Sequence, residues 1–308
     1  MPEPTARQSH IDRALTNVSI AYKNAAFVWP EVFPRVQVQK QSDLYFNFTK
    51  GYWFRLDTGP RAPGARAPRG GYALTTSQYL CLERAIAHQV HDEVIENSDD
   101  PLTPLVRSTQ YVSTQIQSAI ENDVLDLVFG NSVWSSSATP SVLWSNDASD
   151  PWGDIETGMN TVATAIGREP NTAVIGRGLW RYLKNHPDVI DRIKGGATVG
   201  GPAKATAELI AGVAGLERLL VASSVEDTSN EPASSTMAYL GGLHMALLYV
   251  PTGAALDTPS AGYTFMWKNV EISRFREEQE RSDVIEARCS WDAKVTAADA
   301  GYLIKAAA

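Results

Sequence analysis

Between Arg55 and Leu74 the sequence reads RLDTGPRAPGARAPRGGYAL, in which Arg55, Arg61, Arg66 and Arg69 stand among Gly, Pro and Ala with Asp57 as the one acid. A guanidinium presents a fixed fork of donors that suits phosphate and carboxylate oxygens alike. Four readings therefore open: a nucleic-acid arm, a phosphate cradle, a disordered linker, or a grip on a neighbouring protein. The chain as a whole carries 27 Lys and Arg against 35 Asp and Glu, a net charge of −8. Such a protein is not a polyanion coat that binds through bulk phosphate neutralisation and counterion release. Any basic work is local to this stretch.

Other chemistry-bearing residues form no complete constellation. The Gly-rich GGATVGGPAK (195–204) has Pro202 and Ala203 where a P-loop needs Lys and Ser or Thr, so it reads as a loop. His88 and His91 lie three apart beside Asp92 and Glu93, yet no third ligand cluster and no HExxH order accompanies them. His186 and His244 are isolated, which makes packing or capping their expected work. No GxSxG elbow, nucleophilic Cys–base pair or GxGxxG fingerprint is present, and no cofactor is expected. Cys81 and Cys289 form no CxxC pair and read as buried free thiols. Trp134, Trp144 and Trp152 fall in a Ser-rich loop, where anchoring the loop outweighs stacking on sugars. Carboxylates cluster in two places, at Glu121, Asp123 and Asp126 and at Glu277, Glu278 and Glu280; the second group lies between Arg276 and Arg281. Both read as solvated or partner-facing surface.

The elements that carry these residues follow from composition and period. With 44% hydrophobic and 20% charged residues over 308 positions, the chain is a folded protein of about two domains. It has no apolar run of signal-peptide or membrane-spanning length, so a cytoplasmic site of synthesis and folding is expected. Residues 1–42 read as an extended arm with short strands and little core of its own. From Leu44 a period of two marks a strand, with Leu44, Phe46 and Phe48 on one face, and YALTTSQYLCL (72–82) marks a second. The four arginines thus sit at the far end of a two-stranded excursion. After an acidic, Pro-punctuated turn, Val112, Ile116, Ile120, Val124 and Val128 recur every four residues, which predicts a long amphipathic helix stopping at Gly130 and Asn131. Alternating helices and strands over 132–267 predict an α/β or α+β region. Finally Ile285, Ala287, Cys289, Trp291, Ala293 and Val295 alternate with polar residues, a half-buried strand paired with NVEIS across the turn RFREEQERSD.

This set, in this order, resembles the major capsid proteins of tailed double-stranded DNA bacteriophages, the Hong Kong 97-like fold family. The stretches that carry the resemblance are REPNTAVIGRGLWRYLKNHPDVIDRIKG, AELIAGVAGLERLLVASSV leading to AYLGGLHMALLYVP, and VEISRFREEQERSDVIEARCSWDAKVTAADAGYLIK. They act as a set spanning nearly the whole chain rather than as one diagnostic motif. The resemblance implies an α+β fold with an N-terminal arm (1–42), an extended E loop (43–77), a peripheral domain (78–131 and 268–308) with a long spine helix, and an axial domain (132–267). It implies a non-enzymatic shell protein assembling as hexamers and pentamers into the virion head, in the host cytoplasm, around double-stranded DNA that it does not read by sequence. A separate scaffolding protein, a portal and a decoration protein are the implied partners; a membrane is not. Some relatives cross-link a loop lysine to an asparagine. Lys50 lies in the loop, but RFREEQERSD contains no Asn, so no such bond is expected.

Under this resemblance Arg55, Arg61, Arg66 and Arg69 are expected to meet carboxylates of an adjacent subunit, among Glu277, Glu278, Glu280, Glu121, Asp123 and Asp126, with Arg276 and Arg281 in the same contact zone. Three alternatives make different demands. An encapsulin-like compartment would enclose an enzyme instead of DNA. An α/β enzyme would need converging polar groups within 132–267. A nucleic-acid module would bind through the arginines with steep salt dependence.

Overall fold

The computed structural model describes all residues except 1–26, 49–53, 57, 62, 65, 68, 70, 72–73, 98–102, 195–204, 230–235, 254–257 and 306. In chain order, a helical turn α1 (Trp29–Val32) precedes β1 (Arg35–Gln37), and β2 (Ser42–Phe48) and β3 (Leu74–Leu80) flank the Arg-rich stretch. Strand β4 (Leu82–His91) runs into α2 (Asp92–Glu96), and the long helix α3 (Pro104–Val128) follows. Next come β5 (Ser136–Ala138), α4 (Pro151–Ile166), β6 (Thr172–Gly176), α5 (Arg177–Leu183), α6 (Pro187–Lys194), α7 (Ala207–Ala214) and β7 (Arg218–Ala222). The short strands β8 (Val225–Asp227), β9 (Met237–Tyr239) and β10 (Met245–Leu248) lead to the closing elements β11 (Gly262–Glu277), β12 (Ser282–Val295) and β13 (Gly301–Ile304).

Helix α3 forms where the period of four predicts it. Pro104 occupies the first turn, where its missing N–H has no helical partner to lose, and the chain leaves the helix at Phe129 and Gly130. Its 25 residues extend about 37 Å at 1.5 Å per residue. Val112, Ile116, Ile120, Val124 and Val128 are all buried against the hairpin β11–β12, whose Ile285, Ala287, Cys289 and Trp291 supply the facing side of the core. That hairpin is longer than the NVEIS pairing predicts. Arg274, Phe275, Arg276 and Glu277 lie in β11, Ser282 and Asp283 lie in β12, and only Glu278–Arg281 turn. Arg281 closes the turn at φ 46°, and its carbonyl accepts from the Asp92 N–H at 3.0 Å.

Two sheets organise the rest. The four-stranded sheet has the order β1-β11-β12-β4, and β4 is an element the expected acidic turn conceals. Its sequence LERAIAHQVH mixes polar and apolar residues without strict alternation because only Val90 along it is fully buried, so the period that would reveal a strand is missing. The five-stranded sheet has the order β5-β13-β10-β6-β7. Its central strands are buried on both faces. In β10, Ala246 and Leu248 join the core of α3 while Met245 and Leu247 join a second core under α4, α5, α6 and α7. In β13, Leu303 faces the first core, and Tyr302 and Ile304 face the second. One sheet is therefore the shared wall of both cores, which explains the unbroken apolar runs of its inner strands.

Other expectations change as well. The segment 27–33 is not coreless: Val28, Trp29, Val32 and Phe33 are buried in the α3 core. The apolar face of α1 seats it against its own subunit. The second loop strand breaks at Cys81, where the chain crosses from β3 to β4. The stretch GLWRYLKNHPDVIDRIKG divides at His186, because Pro187 has no N–H to continue the first helix. Strand β9 pairs with β8, not with β10. Strand β13 hydrogen-bonds to β10 and β5, so the chain's end lies in the five-stranded sheet and not beside the hairpin. Lys50 and the Gly-rich 195–204 lie outside the described residues.

Candidate assembly surface

The β2–β3 excursion is built on a small aromatic platform. Tyr79 stacks on Phe265 of β11 with ring centroids 4.7 Å apart, and Tyr45 approaches the same ring at 5.5 Å. The Leu80 N–H donates to Asp292 Oδ2 at 2.8 Å. Antiparallel register puts Leu44 opposite Gln78 and Ser42 opposite Leu80, on the face away from Tyr45 and Tyr79. On that face Leu44 is 58% exposed and Leu80 47%. Within the Arg-rich stretch Leu56 is 91% exposed, and Arg55, Arg61, Arg66 and Arg69 are all exposed. Arg61, Arg66 and Arg69 make no ion pair with another described residue. An apolar face on a thin hairpin, continued by exposed cations, is a surface with something left to bury.

The expected acceptors fall into two groups. Glu121 is 0% exposed and accepts from the backbone N–H of Trp29 at 2.8 Å, from that of Val28 at 3.1 Å and from Ser224 Oγ at 2.9 Å. Burial pushes its carboxyl above the ordinary value, while the Val28, Trp29 and Ser224 donors oppose the rise. It is therefore an internal link and not an acceptor for a neighbour. Asp123 is held by Arg84 and by Trp291 Nε1 at 2.9 Å. Arg276, expected in the intersubunit zone, places its guanidinium on both oxygens of Asp92 and lies 3.8 Å from Asp283. Its fork is spent within the subunit. Glu280 accepts from Gln89 Nε2, also internally.

Of the remaining carboxylates Asp126 and Glu278 face solvent and Glu277 does so in part. Asp126 is exposed, and partial burial followed by the nearby Asp123 charge raises its pKa. Glu277 is half-buried with no ion pair to another described residue, and the Glu278 side chain is 85% exposed with only a 3.9 Å approach from Arg276. Arg281 is exposed at the turn. Sequence reasoning treats the Glu121 cluster as one patch. The helical phase separates it, since Glu121 lies one residue from Ile120 on the buried stripe and Asp126 falls on the open side.

The other motif residues have structural occupations. His88 lies beside Ser108 Oγ at 3.0 Å and edge-on to Tyr111, and His91 lies 3.4 Å from the Glu280 carbonyl. On a strand a spacing of three sends them to opposite faces. Trp134 Nε1 donates to the Val128 carbonyl and Trp144 Nε1 to Asp154, both at 2.8 Å, and Trp152 is buried. Trp134 and Trp144 fasten the Ser-rich loop to the two cores, whereas Trp152, expected in that loop, lies in the first turn of α4 and packs into the second core from there. A cleft of about 520 Å³ lies between Arg168, Asn171, Glu217 and Tyr249. Within it Arg168 donates to the Tyr249 hydroxyl, and Asn171 binds both backbone groups of Val250. No helix among the described residues is long and apolar enough to cross a membrane.

A long helix cradled by a closing hairpin, an outlying two-stranded excursion and a second sheet wrapped by helices define the Hong Kong 97-like capsid fold. No family model matches the sequence. The chain is similar over nearly its whole length to a phage major capsid protein: it is 29% identical over 307 residues to the major capsid protein of Burkholderia phage BcepMu, covering 96% of this chain and 95% of the relative. A phage-related protein from Bordetella bronchiseptica superposes with a TM-score of 0.75 at 20% identity, over 97% of this chain and 98% of that one. The capsid structure of the cyanophage P-SCSP1u superposes at 0.60 with 10% identity, over 92% and 88%.

Proposed function

We propose that this chain is the shell-forming subunit of a phage head, a structural protein whose copies close as hexamers and pentamers into an icosahedral capsid around double-stranded DNA. The observation that carries it is the β2–β3 excursion with its exposed Leu44, Leu80 and Leu56, on a chain similar over nearly its whole length to a phage major capsid protein. In this reading residues 1–42 are the arm and 43–77 the loop that reaches a neighbour. Residues 78–131 with the hairpin strands of 268–295 form the peripheral domain and 132–267 the axial domain, whose five-stranded sheet β13 completes, so the expected boundary at 308 moves back. Arg55, Arg61, Arg66 and Arg69 grip carboxylates of the adjacent subunit, with Glu278 and Asp126 as the acceptors their exposure supports and the half-buried Glu277 beside them. Each such pair alone contributes only about 0–1 kcal/mol, but the contact repeats over every copy. The net charge of −8 suits a wall that encloses DNA without holding it tightly. A scaffolding protein, a portal and a decoration protein are the companions this role calls for.

Negative-stain microscopy of the purified protein, alone and with phage assembly partners, tests the reading. Closed shells or capsomer rings are expected, and DNA rather than enzyme density inside native particles. A monodisperse monomer under every condition overturns it.

A further inference from the structure

Glu121 sits in the C-terminal half of α3 with no exposed surface, and the groups that donate to it come from two distant segments, the start of α1 and the chain beyond β7. Its Oε2 accepts from the Trp29 N–H, both oxygens accept from the Val28 N–H, and Oε1 accepts from Ser224 Oγ just beyond β7. Val28 is the N-cap of α1 and offers no side-chain cap of its own. The Glu121 carboxylate, 93 residues away in sequence, takes over that capping role. All three donors are neutral. The charged groups on the surrounding elements are otherwise engaged or face away: Glu31 on α1 approaches Arg218 of β7 at 3.8 Å, Asp123 on α3 pairs with Arg84, Asp126 is exposed, and Glu226 on β8 is exposed. His244 packs its ring near Phe129 at the end of α3. None of them is bonded to the Glu121 carboxylate.

We propose that Glu121 is a proton-sensitive latch that seats the segment 27–33 in its own subunit and holds it more firmly when protonated. An ion buried without a counter-charge is costly, and a proton removes that cost. Protonated, the group keeps a carbonyl oxygen for the Trp29 N–H, and its hydroxyl can donate to Ser224 Oγ. Release of the segment would return Glu121 to water and to ordinary carboxylate behaviour. The latched state therefore binds the proton more tightly, so falling pH favours the latch and rising pH loosens it. In a shell subunit this governs whether the N-terminal segment stays at home or passes to a neighbour. That consequence rests on the proposed assembly, whereas the latch itself is a property of the single subunit.

Hydrogen exchange of the unassembled full chain, followed by mass spectrometry and corrected for intrinsic exchange rates, tests it without reference to shells. Protection of 27–33 relative to β13 should be several-fold greater in acidic than in alkaline buffer, because the buried Glu121 carboxyl is held above its ordinary value. Glu121→Gln, which stands for the protonated form, should keep the segment protected and flatten its pH profile. Glu121→Ala should reduce protection at both pH values while β13 stays protected. A flat wild-type profile, a Gln variant that keeps the wild-type slope, or an Ala variant with undiminished protection overturns the latch. If the Ala variant loses protection in β13 as well, its fold has failed and the Gln profile decides.

Discussion

Arg84 and Asp123 meet across the seam between β4 and α3, with Nη2 2.9 Å from Oδ2, and the same guanidinium stands 4.7 Å over the Trp291 ring. Asp123 also accepts from Trp291 Nε1 at 2.9 Å, so one carboxylate binds a strand, a helix and the closing hairpin together.

The two sides of this junction are unequal. Arg84→Ala removes a half-exposed cation and should cost about 0–1 kcal/mol. Asp123→Ala also strands the part-buried indole N–H and should cost about 1–3 kcal/mol. Urea denaturation of both variants checks the order, and equal losses would contradict it.

Strand β13 depends on a missing side chain. A Cβ at Gly301 would strike the Trp134 ring, whose Nε1 is tied to the Val128 carbonyl and cannot easily yield. Gly301→Ala should destabilise by about 1–3 kcal/mol. Gly253 faces open space, and Gly253→Ala should change stability by less than about 0.5 kcal/mol. Thermal unfolding of the pair measures the difference.

Arg276 and the loop arginines should separate in their effects. The Arg276 hydrogen bond holds Asp92 below the ordinary carboxylate value, so this pair's contribution is present above about pH 4 and lost as pH falls through the lowered value. Arg276→Ala should therefore weaken the subunit at neutral pH and flatten the acid limb of its stability curve. Arg66→Glu with Arg69→Glu should leave monomer unfolding unchanged yet lower particle yield, and Glu277→Arg with Glu278→Arg should restore part of it. Unchanged particle yield in the Arg→Glu variant would remove the grip.

Burial pushes the Cys81 thiol up to about 11 and the Cys289 thiol to about 12. Neither should react with a disulfide reagent at neutral pH in the folded protein, because the thiolate is the nucleophile. Both should titrate after unfolding in denaturant. Fast labelling of the native chain would show that the sheet opens locally.

The spacing of Val112, Ile116, Ile120, Val124 and Val128 determined the long helix, and the alternation from Ile285 to Val295 determined the closing strand. Both are local periodicities set by one buried face, and such a face repeats in the chain as it repeats in space. The buried Trp134 and Trp144 were legible for a related reason, since large aromatic side chains in a polar loop need an interior to enter. Strand β4 escaped because burial at Val90 alone leaves no period. The division between Glu121 and Asp126 escaped because what Glu121 binds lies 93 residues back at Val28 and 103 residues on at Ser224. Whether an acid is a solvated surface group or an internal clasp depends on which donors the fold brings to it. That is a property of distant chain segments meeting, and only the tertiary structure decides it.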